Sequence, residues 1–64
     1  MRKPIAKGVV KIATTYCDIV LIAGEVIDIY AFNNDSTCVV LGDRGFILDF
    51  PMRKVFEKII IISD

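Results

Sequence analysis

Apolar residues occur in short runs along this 64-residue chain, and turn-forming residues separate the runs at close intervals. Eighteen residues are Ile or Val, whereas seven are Leu or Ala. Because β-branched side chains favour extended backbone, this pattern predicts an all-β fold built from short strands. Gly, Pro, Asn, Asp and Ser are typical of turns, and the predicted turns lie at 14–18, 23–24, 33–36, 42–45 and 51.

The spacing of these turns predicts five strands, at 7–13, 25–32, 37–41, 46–50 and 57–62. Two glycines bracket a polar pair at 42–45, which indicates a tight hairpin. Pro51 cannot donate to a strand ladder, so it ends the fourth strand and leaves 52–55 for a single 3₁₀ turn. The strands predict eight inward side chains: Val10, Ile12, Ile27, Ile29, Val39, Leu41, Leu48 and Phe56.

Three segments, 21–29, 45–51 and 55–59, resemble parts of the SH3-like small barrel. They are similar to the strand leaving its long first loop, to the strand that ends in a proline, and to the closing strand after a helical turn. The resemblance covers about residues 7–62. It implies a five-stranded SH3-like barrel in which residues 1–64 form a single domain with a basic N-terminal arm at 1–6.

The chain departs from the peptide-binding SH3 domains at the residues that bind ligand. It lacks an Ala-Leu-Tyr-Asp-Tyr segment and the tryptophan that lines the polyproline groove, so a PxxP ligand is not expected. It looks more like the stand-alone SH3-like proteins of bacteriophages and bacteria, many of which bind another protein. This resemblance implies a non-enzymatic interaction protein, of the kind that inhibits or modulates a host protein.

Apolar residues make up 55% of the chain, above the ~45–50% that is usual for a globular domain. A chain of this size buries only about 60% of the surface that its unfolded form exposes, so part of the apolar surface is expected to face a partner. The isoleucine run (Ile59, Ile60, Ile61 and Ile62) places apolar side chains on both faces of a strand. Either a protein partner, including a homo-oligomer, or a loop or the N-terminal arm covers this run. The predicted interface residues are Ile59, Ile60, Ile61, Ile62, Ile19, Val20, Tyr30 and Phe32.

A nucleic-acid-binding barrel is the alternative function. Residues 1–11 carry four cations and no acid, although the whole chain has a net charge of zero. Basic side chains beside a stacking aromatic are typical of single-strand binding, but a solvated arm explains the same cations. The candidate contacts are Arg2, Lys3, Lys7, Lys11 and Tyr16.

Enzymatic and metal chemistry have little support in the sequence. The chain has no histidine, and Cys17 and Cys38 alone do not complete a zinc site, so no metal and no cofactor are expected. No phosphate-binding glycine motif is present, and no apolar run approaches the ~20 residues that cross a bilayer. The sequence therefore predicts a cytoplasmic protein that is not an enzyme and does not enter a membrane.

Overall fold

The computed structural model describes residues 3–17 and 19–62. Most of these residues lie in strands, so the prediction of an all-β protein is confirmed. All five predicted strands are present, each within three residues of its predicted bounds. In chain order the elements are β1 (Ala6–Val10), β2 (Thr14–Tyr16), β3 (Ile19–Leu21), β4 (Val26–Phe32), β5 (Thr37–Gly42), β6 (Gly45–Pro51), α1 (Met52–Val55) and β7 (Phe56–Ile61).

Five of the strands form an antiparallel sheet in the order β6-β5-β4-β1-β7. The connection from β1 to β4 holds two further strands, β2 and β3, which pair with each other as a hairpin. The predicted number of five strands was therefore wrong, because residues 14–21 are themselves rich in β-branched side chains. Within the described residues β6 and β7 do not pair, so the sheet has two edges and is not closed.

The predicted helical turn is present, but its type differs from the prediction. The four residues of α1 form an α-helical turn rather than a 3₁₀ turn, and the N–H of Phe56 bonds to the carbonyl oxygen of Met52. Met52 and Val55 are the buried residues of this turn. The turn therefore fixes the start of β7 against the core.

One hydrophobic core lies between the sheet, the hairpin and α1. Phe50 is its largest fully buried side chain. The Phe50 ring meets Tyr16 edge to face at a centroid distance of 5.3 Å and meets Phe56 at 5.5 Å, so aromatic contacts join the hairpin, β6 and β7. The buried members are Ala6, Val10, Ile19, Leu21, Ile29, Cys38, Val40, Phe50, Met52, Val55 and Phe56.

Three of the eight side chains predicted to point inward are exposed: Ile12, Leu41 and Leu48. Ile12 lies beyond the end of β1, where the chain has already left the sheet. Residues 38–41 are all apolar, so alternation alone could not show that Val40, and not Leu41, faces the core. Leu48 is exposed because the β5–β6 register shifts between Cys38, which pairs with Phe50, and Val40, which pairs with Ile47. Phe50 and Ile47 therefore both contact the core, and Leu48 between them does not.

Replacing Gly8 by alanine should destabilise the protein more than the same change at Gly24. A Cβ atom at Gly8 would lie 2.6 Å from atoms of the Phe56 ring, which overpacks the core and costs about 1–3 kcal/mol. At Gly24 (φ +86°) a Cβ atom would meet nothing within 4 Å beyond its chain neighbours, so the cost is the backbone conformation alone, about 1–2 kcal/mol. Urea unfolding of both variants measures the difference, and equal losses would show that the overlap with Phe56 costs no more than the backbone conformation at Gly24.

Candidate functional site

The isoleucine run lies on β7, at one edge of the five-stranded sheet. Ile59 is partly buried and packs against the core. Ile60 is 50% exposed and Ile61 is 64% exposed, although both side chains are wholly apolar. The run therefore presents two large apolar side chains to solvent at the end of a sheet.

The pairing of β7 with β1 explains these two exposures. Lys7 lies opposite Ile60, and Ala6 lies opposite Ile61. Since Ala6 is fully buried, Ile61 points to the core side of the sheet and Ile60 points to the outer side. Ile61 is nevertheless exposed because, among the described residues, no strand lies beyond β7 to cover it.

The backbone edge of β7 is open as well. The N–H of Ile62 donates to the carbonyl oxygen of Ile5 at 3.0 Å, so the backbone groups of Ile62 face β1. Backbone groups alternate in direction along an antiparallel strand, and those of Ile59 and Ile61 therefore point away from β1. Within the described residues they meet no other strand. Residues 59–62 of this edge carry no charged side chain, and such a stretch readily pairs with another chain.

The opposite edge of the sheet, β6, carries features that oppose strand pairing. Asp49 places a charge on this strand, and Pro51 removes a backbone donor. The side-chain amide of Asn33 donates to the carbonyl oxygen of Leu48, which supplies one backbone acceptor of β6 with a partner inside the molecule. The two edges of the sheet therefore differ in their capacity to bind a further strand.

The other predicted interface residues do not join the isoleucine run. Ile19 is a buried member of the core, whereas Val20 next to it is 72% exposed on the hairpin. Tyr30 meets Phe46 edge to face at a centroid distance of 5.3 Å, and Phe32 is an exposed residue at the end of β4. Since β1 lies between β4 and β7, these aromatic residues and the isoleucine run occupy different parts of the sheet.

The predicted nucleic-acid contacts are engaged within the molecule. The ammonium of Lys7 lies 3.9 Å from a carboxylate oxygen of Asp28, and that of Lys11 donates to the carbonyl oxygen of Arg53 at 3.5 Å. Tyr16 packs its ring on Phe50, and burial, followed by the charge of Asp49, raises the pKa of its hydroxyl. Lys3 is exposed. Arg2 lies outside the described residues.

Two clefts are present on the described surface. The larger, about 320 Å³, lies between α1 and the start of β7, and the smaller, about 210 Å³, lies beside the hairpin. Arg53, Glu57 and Lys58 give the larger cleft charges of both signs. Residues 3–17 and 19–62 contain no group of three or more His, Cys, Asp or Glu side chains that could hold a metal ion. None of their helical residues forms a helix long and apolar enough to cross a membrane.

The two cysteines differ in their surroundings, and neither forms a disulfide within the described chain. Cys38 is fully buried, and burial raises the pKa of its thiol to about 11. A buried, protonated thiol of this kind behaves as a small apolar side chain. Cys17 is exposed in the turn of the hairpin, with a left-handed backbone (φ 55°). The accessible thiol therefore lies on the hairpin, away from the sheet edge at β7.

Comparison with known protein families, with curated proteins and with solved structures finds no match to this chain.

Alkaline pH should destabilise the protein through Cys38. Below pH 9 its thiol is protonated in both the folded and the unfolded chain, so the contribution of Cys38 is constant. Between pH 9 and about 11 only the unfolded chain loses this proton, so the free energy of unfolding at pH 10.5 should be about 2 kcal/mol lower than at pH 8. Urea unfolding at pH 8 and pH 10.5 measures the loss. The Cys38→Ala variant is the control for other groups that titrate, and an equal pH-dependent loss in that variant would contradict the assignment.

Proposed function

We propose that this chain is a non-enzymatic protein-interaction module that binds a protein partner through the isoleucine run on β7. The observation that carries the proposal is the combination of exposed Ile60 and Ile61 with an open backbone edge on the same strand. An incoming strand can bond to such an edge while its side chains cover the isoleucines, which is the mode of recognition by strand addition.

The energetics favour this site over an isolated exposed side chain. Fully burying an isoleucine is worth about 1.5–3 kcal/mol, so covering what remains exposed on Ile60 and Ile61 contributes about half of that range at each residue. Backbone bonds add to this term, because an edge strand offers its donors and acceptors in register. An exposed apolar side chain on a strand that is paired on both sides, such as Leu41 on β5, provides only the first contribution.

We further propose that the fold is a small open variant of the SH3-like barrel. The sheet order β6-β5-β4-β1-β7, the hairpin within the first long connection and the helical turn before the last strand support this assignment. In such an arrangement the first and last strands lie side by side, as β1 and β7 do here. An unclosed sheet of this kind leaves an edge strand available for a partner.

Ile61→Lys should abolish partner binding, and Leu48→Lys should not. Leu48 is 65% exposed, a value almost equal to that of Ile61, but it lies on the opposite edge strand. A lysine at 61 places a charge in the proposed contact and should reduce the recovered partner at least tenfold. The measurement is affinity capture from the lysate of the source organism with wild type, Ile61→Lys and Leu48→Lys.

Val20→Lys distinguishes the isoleucine run from the hairpin as the binding surface. Val20 is the most exposed large apolar residue of the described chain, and it lies on β3. The proposed site predicts that Val20→Lys recovers as much partner as wild type. Loss of the partner with Val20→Lys, together with its retention by Ile61→Lys, would move the binding surface to the hairpin.

Oligonucleotide binding should be absent even at low salt. Asp28, 3.9 Å from Lys7, offsets part of its charge, and the Tyr16 ring is packed on Phe50, so both side chains are less suited to contact phosphate or a base. Fluorescence anisotropy with labelled single-stranded and duplex oligonucleotides at 20 mM and 200 mM salt is the measurement. Binding that falls steeply between these salt concentrations would instead support the nucleic-acid function.

A further inference from the structure

We infer that the partner strand for β7 is β7 of a second copy of this chain, paired antiparallel about a two-fold axis at Ile60. The pairing rests on the proposed function, because it uses the same isoleucine run, and it specifies the partner as the chain itself. Two five-stranded sheets then form one continuous antiparallel sheet.

The direction of the backbone groups is compatible with this geometry. A two-fold axis between antiparallel edge strands is perpendicular to the sheet, so opposite residues lie on the same face and both cores lie on the same side. With the axis at Ile60, Ile59 of one copy lies opposite Ile61 of the other. The backbone groups of both residues point away from β1, so the two copies exchange four N–H···O=C bonds.

The side chains fit the same axis position. Ile61 points to the core side of its own sheet and has no described neighbour beyond it, and Ile59 of the second copy would cover it there. On the outer face, Ile60 of each copy lies against Ile60 of the other. Each exposed isoleucine thus gains an apolar neighbour, as a self-complementary two-fold contact requires.

An axis at Ile59 would place charges against the exposed isoleucines, with Glu57 opposite Ile61 and Lys58 opposite Ile60. With the axis at Ile60, Lys58 lies opposite Ile62, and Glu57 lies beyond the isoleucines. Because charges are depleted from the centres of stable interfaces, the axis at Ile60 is favoured over one at Ile59. Disulfide formation at positions 60 and 61 separates it from an axis at Ile61.

The required area is modest for this protein, and charge does not oppose the contact. An interface of ~1,000 Å² in total needs ~500 Å² from each copy, about a ninth of the 4405 Å² surface of the chain. The exposed parts of Ile60, Ile61 and Ile5 supply a share of this area, and the backbone edge of β7 adds to it. The net charge of zero means that two copies do not repel each other as whole molecules.

Site-specific disulfide formation tests the axis position. In a Cys17→Ser background, which removes the exposed thiol, Ile60→Cys should form a disulfide-linked dimer on mild oxidation. The axis at Ile60 gives the two residues at position 60 a Cα separation of about 4.5 Å, within disulfide range. The matched control is Ile61→Cys, because two residues at position 61 lie about 8 Å apart in this register and do not form the bond. Leu48→Cys is the control for random collision.

Light scattering after size-exclusion chromatography gives an independent test on unmodified protein. Wild type at micromolar concentration should have twice the chain mass of 7.2 kDa. Ile61→Pro removes an outward N–H and leaves the pairing with β1 intact, so it should weaken the dimer about tenfold and retain the fold. Circular dichroism of the variant checks that the fold is retained.

The outcomes separate this inference from the proposed function. A 7.2 kDa wild-type species would overturn the self-pairing, and an Ile61-dependent partner captured from lysate would then still support the proposed function. A dimer that forms disulfides through Ile61→Cys or Leu48→Cys, and not through Ile60→Cys, would overturn the axis. Loss of both the dimer and the captured partner would overturn the two together.

Discussion

The ring of Phe56 lies directly on the backbone of Gly8, and the position of the edge strand depends on this contact. Gly8 belongs to β1, which pairs with β4 on one side and with β7 on the other. Phe56 is the first residue of β7, and its ring also packs on Phe50 of β6. One close approach therefore holds the last strand against the middle of the sheet and against the core, and any side chain at position 8 would separate them.

The strand positions could be predicted from the sequence, whereas several side-chain directions could not. Turn residues and β-branched runs locate all five main strands, because these signals are local. The direction of Leu48 depends on a register shift between β5 and β6, which is a property of the pair of strands. The hairpin of β2 and β3 was missed for a related reason, since three-residue strands resemble the loop around them.

The candidate site could be predicted from the sequence only in part. Four consecutive isoleucines indicate a strand with apolar side chains on both faces, whichever strands flank it. The sequence does not show that this strand lies at an edge, because edge position follows from the order in which distant strands pair. Ile19 was predicted to lie in the interface because its neighbours are apolar, but the hairpin folds back and Ile19 is buried in the core.

Composition alone would not single out β7, because the excess of apolar residues is spread over the whole sheet. Leu41 of β5 and Phe46 of β6 lie opposite each other, and both are exposed. Val26 of β4 and Leu48 of β6 are exposed as well. Val39 is buried but lies outside the main core, whereas Cys38 and Val40 on either side of it belong to that core. Apolar side chains on a paired strand offer a partner only area. Those on β7 are consecutive and also have unused backbone groups beside them, and this coincidence distinguishes the isoleucine run from the exposed apolar residues of the central strands.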